Sequence, residues 1–227
     1  MWYRRRGHVN GTGTERTTPV LVSGGHTLAS ISAGDYHTAG ITTSGAAYAW
    51  GYNYNGQLGD GTTTNRSTPA LVSGGHTLAS ISAGDHHTMG ITTGGGAGAW
   101  GRNNYGQLGV GTTTNRLTPG LVSGGHTWAS IAAGRYHTVG ITTSADAYAW
   151  GQNHDGKLGD GTTTQRLTPT RVSGSHTWAS ISAGGYHTVG ITTTSGAAYA
   201  WGENHDGQLG DDTTVGRTTP TLVSPRP

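Results

Sequence analysis

Residues 50–59 read W-G-Y-N-Y-N-G-Q-L-G, and the string returns as W-G-R-N-N-Y-G-Q-L-G at 100–109, W-G-Q-N-H-D-G-K-L-G at 150–159 and W-G-E-N-H-D-G-Q-L-G at 201–210. The copies begin 50, 50 and 51 residues apart. A self-similar unit of that length marks a repeat architecture, in which one supersecondary unit cannot bury its apolar side alone and stacks on its neighbours. No linker or shift of composition interrupts the series, so the spacing predicts one continuous array rather than separate domains.

Working outward from Trp50, His26–Ala33 (HTLASISA) places Ala29, Ile31 and Ala33 on one face at period two, and Gly34-Asp35 supplies a turn. Tyr36–Thr43 (YHTAGITT) places His37, Ala39 and Ile41 on one face, Ser44-Gly45 turns again, and Ala46–Trp50 makes a third strand. A Gly- and Asn-rich loop follows, then a short fourth strand at Thr68–Val72 whose Pro69 suits an edge position. Four short strands separated by turn clusters predict a propeller blade. The fold expected is therefore all-β: a β-propeller-type array of four-stranded antiparallel blades, open or incomplete. The blades fall at approximately 24–72, 73–122, 123–172 and 173–223, with a non-repeat segment at 1–10 and a tail at 224–227. Gly11–Val22 matches the loop and fourth strand at Gly61–Val72, which predicts one extra N-terminal strand besides the four full blades.

Composition fits this reading. Hydrophobic residues make up 32% of the chain, Gly numbers 42 and Phe is absent, so the core is lean and the turns many. The net charge of +2 is spread along the array, and Arg4-Arg5-Arg6 is too short a basic run to indicate nucleic acid. Absence of Cys excludes disulfide and thiol chemistry. No stretch approaches a membrane span or the apolar core of a signal peptide, so a soluble chain of undetermined compartment is expected.

The string W-G-x-N-x-x-G-Q-L-G-x-G, preceded by I-x-A-G-x-x-H-T and followed by T-P, resembles the regulator of chromosome condensation repeat family across roughly residues 11–223. Kelch repeats share the period, but the Trp-Gly-x-Asn string does not fit them. The resemblance implies a β-propeller, usually of about seven blades, in a family that includes exchange factors for a small nuclear GTPase, inhibitors of β-lactamase and plant photoreceptors. This chain carries about four and a half repeats, and it lacks the basic tail and long blade insertion by which the exchange factor engages chromatin and GTPase.

The repeats themselves separate hardware from candidate specificity. Gly51–Trp100 and Gly101–Trp150 agree at about 35 of 50 positions. The differences gather after the first strand and after Trp-Gly, in loops that leave the same end of an up-down-up-down blade. Candidate partner-binding residues are thus Asp35, Tyr36, Tyr52, Tyr54, Asp85, His86, Arg102, Tyr105, Arg135, Tyr136, Gln152, His154, Asp155, Tyr186, Glu203, His205 and Asp206. Positions that never vary read as structural: the histidine slots at His26 and His37 with their copies, and Arg16, Arg66, Arg116, Arg166 and Arg217, which are expected to hydrogen-bond carbonyls of the preceding loop.

Chemical motifs do not assemble. Gly96–Gly101 matches G-x-G-x-x-G, yet it occupies the slot of the third strand with no helix to follow. His86-His87, His154-Asp155 and His205-Asp206 could each offer two metal ligands where a site needs three or four. Asn153–Gly156 lacks the order of a calcium loop. No catalytic residue, cofactor or metal site is expected. The function expected is that of a non-catalytic scaffold or protein-binding module, able to self-associate through its end blades, with no nucleic-acid or membrane partner. The alternatives are nucleotide exchange on a small GTPase and a truncated repeat fragment without independent function.

Overall fold

The computed structural model describes residues 16–223. Sixteen strands lie among them, grouped in four blades. Blade 1 holds β1 (Leu28–Ala33), β2 (His37–Thr42), β3 (Ala47–Gly51) and β4 (Arg66–Leu71); blade 2 holds β5 (Leu78–Ala83), β6 (His87–Thr92), β7 (Ala97–Gly101) and β8 (Arg116–Leu121). Blade 3 holds β9 (Trp128–Ala133), β10 (His137–Thr142), β11 (Ala147–Gly151) and β12 (Arg166–Arg171); blade 4 holds β13 (Trp178–Ala183), β14 (His187–Thr192), β15 (Ala198–Gly202) and β16 (Arg217–Leu222). Each blade is a separate antiparallel meander in sequence order. First strands of successive blades (β1, β5, β9, β13) pack side by side, so they form the inner edge, and the fourth strands form the outer one. Among the described residues the array is a propeller arc that does not close.

Two sequence expectations change here. Ile31 is 59% exposed and Ala33 is exposed as well, whereas in the later blades the same face is half-buried, with Ile81, Ile131 and Ile181 packed against the cores between blades. The reason is position: the face that each later blade packs on the blade before it meets no other blade in blade 1 among the described residues. The second concerns the extra N-terminal strand. Its sequence is described only from Arg16, and residues 16–22 form no strand of the four sheets. Every fourth strand observed pairs with the third strand of its own blade, and residues 11–15 of the expected extra strand lie outside the described residues. The segments 1–10 and 224–227 lie outside the described residues. Pro69 falls in the outer strand, where β3 and β4 lose register between Ala49 and Gly51, so its missing N–H breaks no ladder bond.

The core lies between blades. Ala39, Ile41, Ala47, Ala49, Leu58 and Val72 of blade 1 meet Leu78 and Trp100 of blade 2. The next two interfaces repeat this arrangement around Trp128 with Trp150, and around Trp178 with Trp201. Burying an indole stabilises by several kcal/mol, about 3–5 on the scale of Trp-to-Ala truncations. The recurring Trp of the opening string is therefore the peg that one blade drives into the blade before it. Its neighbour is fixed by Gly59, Gly109 and Gly159, each at φ +69°. A Cβ on Gly109 would stand 2.7 Å from Trp150 Nε1, so this slot needs both a left-handed backbone and no side chain.

A polar joint accompanies each peg. Thr88 Oγ1 donates to the Gln57 carbonyl oxygen at 2.8 Å, and His37 Nε2 lies 2.7 Å from the same hydroxyl. A threonine has one hydroxyl hydrogen, and a carbonyl can only accept. His37 therefore carries its proton on Nε2 and donates it. Its Nδ1 is buried without a partner, as this tautomer leaves a bare lone pair there. The joint recurs as His87 to Thr138 (2.9 Å) to the Gln107 carbonyl, and as His137 to Thr188 (3.0 Å) to the Lys157 carbonyl. Burial pushes His37 and His87 down to about 3, and His137 well below the usual histidine range. The slot read as structural histidine is a neutral hydrogen-bond donor between blades.

Candidate functional site

The loop end of the arc is built on an asparagine. Asn53 donates through Nδ2 to the carbonyls of Thr62 (3.0 Å) and Thr64 (3.1 Å), and its Oδ1 accepts from Leu58 N at 2.9 Å. Asn103, Asn153 and Asn204 repeat these bonds. One buried amide thus gathers the long loop between the third and fourth strands and explains the fixed Asn of the opening string. In the 153–164 loop, read for calcium order above, the Asn153 amide itself occupies the centre.

The arginine slot differs from expectation. Arg66, Arg166 and Arg217 do not bond loop carbonyls: each Nε donates to a loop carboxylate, Asp60, Asp160 or Asp211, at 2.7–2.8 Å. A planar guanidinium suits a carboxylate better than a lone carbonyl, and the aspartate in turn accepts from Thr62, Thr162 or Thr213. Burial raises the Asp60 and Asp160 carboxyls, but these bonds outweigh it and hold both below the usual value. Blade 2 has Val110 at the aspartate position.

On this frame the variable positions meet across blade boundaries. The Tyr36 ring stacks on His86 of the next blade at 4.8 Å and 4°, Tyr52 lies 6.0 Å from Tyr36 and 5.9 Å from His86, and Tyr54 lies 6.4 Å from Tyr52. Further along, Tyr105 meets Tyr136 edge-on at 5.4 Å. The guanidiniums of Arg102 and Arg135 sit 5.5 and 5.1 Å from the Tyr136 ring, and Arg135 also lies over Tyr186 at 5.2 Å and donates to its hydroxyl. Arg135 Nε reaches Asp85 at 3.3 Å, and His86 lies 3.7 Å from the same carboxylate. Rings and cations alternate in one continuous band from Tyr54 to Tyr186, placing both loop sets at one end of the array.

Within the band Asp85 is buried. Burial raises its carboxyl pKa, against the pull of His86 and Arg135. His86 is pushed down, first by burial and then by Arg102, while Asp85 opposes the shift. Beyond Tyr186 the band continues through a residue that sequence reasoning passed over. Lys157 stands in the Gln slot of the other repeats, with a fully buried side chain. Its ammonium donates to Gln152 (2.7 Å) and Asp155 (2.8 Å) and lies 5.5 Å from the Tyr186 ring. The signal was available: it is the chain's only lysine, at a position otherwise held by Gln57, Gln107 and Gln208.

Three expected positions, His154, His205 and Asp206, are exposed at loop tips; Asp35, exposed on its turn, lies close enough to act on Asp85 and His86, and Glu203 is half-buried near Lys157. Among the described residues no three His, Asp or Glu side chains gather as a metal site would require. No helix among them is long and apolar enough to cross a membrane.

The family model for the RCC1-like domain matches residues 3–227. This chain belongs to that family. No curated protein matches the RCC1-like chain in sequence. Among solved structures it is similar to Prp20p of Saccharomyces cerevisiae (TM-score 0.85, 21% identity, covering 96% of this chain and 56% of that one). It is likewise similar to human WBSCR16 (TM-score 0.81, 21% identity, covering 90% and 55%). Likeness at this identity shows the fold, and this RCC1-like chain spans little more than half the length of either structure. Prp20p was described with its binding properties to Gsp1p and histones, and a second structure shows yeast Prp20 bound to Kap60.

Proposed function

We propose that this RCC1-like array is a non-catalytic module that binds a protein partner through the band of loop residues from Tyr54 to Lys157. One observation carries the reading: most of the loop positions that vary between near-identical repeats have side chains that interlock in one band across blades. Tyrosine and arginine supply large contact areas and dominate interface energetics, and Tyr54, 74% exposed, stands at the edge of the band. Affinity capture with the wild-type chain and with a Tyr52→Ala/Tyr54→Ala/Arg102→Ala variant tests it. The variant should lose at least about tenfold in affinity, equivalent to ~1.4 kcal/mol, with an unchanged melting curve. Undiminished capture by a folded variant rejects the loop band as the interface.

Nucleotide exchange on a small GTPase is the second reading, and the fold shared with the Gsp1p-binding Prp20p favours it. Release of labelled nucleotide from such a GTPase, accelerated by this chain, is the observation that would establish it. The exposed side of blade 4 further supports self-association, since Val189 and Ile191 are 37% and 43% exposed where Val139 and Ile141 are buried.

A further inference from the structure

At one place outside the loop band a difference between the repeats leaves a hole. The second residue of the third strand is Tyr48, Tyr148 or Tyr199 in blades 1, 3 and 4, but Gly98 in blade 2. Each tyrosine ring lies against the histidine that leads into the first strand: His26 at 4.0 Å, His126 at 4.2 Å and His176 at 4.4 Å. In blades 3 and 4 a tryptophan completes the group, Trp128 at 6.0 Å from Tyr148 and Trp178 at 5.9 Å from Tyr199. Tyr148 and Tyr199 seal the second and third blade interfaces by packing against their cores. At the first interface Gly98 replaces the tyrosine and Leu78 the tryptophan.

What remains is a cavity of about 210 Å³ between blades 1 and 2, walled by Ala47, Val72, Leu78, Trp100 and Pro119, with His76 at its rim. His76 is exposed, whereas its three ring-stacked counterparts are half-buried. The residues around the mouth come from the β4–β5 and β6–β7 connections, at the opposite end of the blades from the loop band. Backbone geometry does not demand the glycine. Gly98 does not have a left-handed φ, and a Cβ there would meet only Pro119 Cβ, at an ordinary 3.6 Å. The chain is built for a ring in this space and does not supply one.

We infer that blade 2 carries a binding site for a small monocyclic phenol, seated where the other blades hold their own tyrosine ring. The walls already have suitable chemistry: the Trp100 indole, aliphatic sides and His76, the counterpart of the imidazoles that lie against Tyr48, Tyr148 and Tyr199. An apolar protein cavity of ~150 Å³ is large enough to stay dry and take up benzene, so this one accommodates a single substituted ring.

The probe is p-cresol, which is the tyrosine side chain as a free molecule, titrated into the full chain by calorimetry and ligand-observed NMR. One molecule per chain should bind, and Gly98→Tyr should weaken binding at least about tenfold while raising the melting temperature by filling the void. Gly98→Leu, which fills the same space without an aromatic ring, should also abolish binding, so the result does not hang on one variant. 4-Methylcyclohexanol, of similar size but without a π face, should bind distinctly more weakly. Absence of p-cresol binding, binding that survives both folded Gly98 variants, or equal affinity for 4-methylcyclohexanol overturns the assignment. The loop-band variant should bind p-cresol as the wild type does, because the two sites lie at opposite ends of the blades.

Discussion

At the scale of single residues, the histidines at 37, 87 and 137 show how a titratable side chain is used as a neutral one. In the unfolded chain such a histidine titrates near 6.5, and in the fold its pKa is depressed by burial. Below about pH 6.5 the unfolded state takes up protons that the folded state refuses. The stability each joint contributes is thus complete above that pH and drains away as pH falls, at up to about 1.4 kcal/mol per pH unit for each histidine. His137→Gln should remove one proton from this linkage. Urea unfolding between pH 7 and 5 should show a shallower pH dependence for the variant than for the wild type by up to about that slope; parallel curves would mean that His137 is not the group that titrates. The sequence showed this slot as recurrent and structural, because repetition alone reveals it. It did not show the partner, because Thr88 lies in the next repeat and only packing brings the two together. The arginine slot was misassigned for a similar reason: Asp60 stands six residues away with nothing in its spacing to single it out.

At the scale of the element, the meander and its loop were legible almost residue for residue, since turn glycines bound every strand and the Trp-Gly-x-Asn string fixes the loop. The first strand was the exception. Its alternation marks a half-buried face where a preceding blade covers it, as at Ile81, Ile131 and Ile181, but not at Ile31, since burial there depends on a neighbouring blade, which local pattern cannot express. The loop glycine tests the peg model directly. Gly109→Ala puts a methyl group against Trp150 at a left-handed position, and should destabilise the fold by about 2 kcal/mol or more, read as a lower urea midpoint at unchanged m-value. A neutral result would show that the indole can shift aside. Of the candidate site, the meeting of loops at one end followed from strand order, whereas the pairing of Tyr36 with His86 and the burial of Lys157 required the angle between blades.

At the scale of the molecule, the arc has two unlike ends. Blade 4 presents His187, the donor half of a joint, beside the exposed Val189 and Ile191; blade 1 holds Thr38 in the acceptor slot. The histidine-to-threonine joint that recurs inside the array joins the end of one blade to the start of the next, so self-association should run head to tail, as in rings or filaments rather than two-fold pairs of like ends. Sedimentation of the wild-type chain should show concentration-dependent species larger than one chain, and Ile191→Lys should shift them toward the monomer. A wild-type chain that stays monomeric across the accessible concentration range removes this form of assembly.

The uniformity of the joints has a genetic consequence. His37 meets Thr88 through the same atoms by which His87 meets Thr138, so the coupling carries no record of which blade it joins. Excising one period, or copying one, leaves every remaining coupling chemically intact. Nucleotide sequences as alike as these repeats imply invite unequal crossing-over, and the fold would accept its products. Blade number in such a lineage is then free to drift as a count, while the loop band and the vacant ring site mark individual copies that have begun to differ.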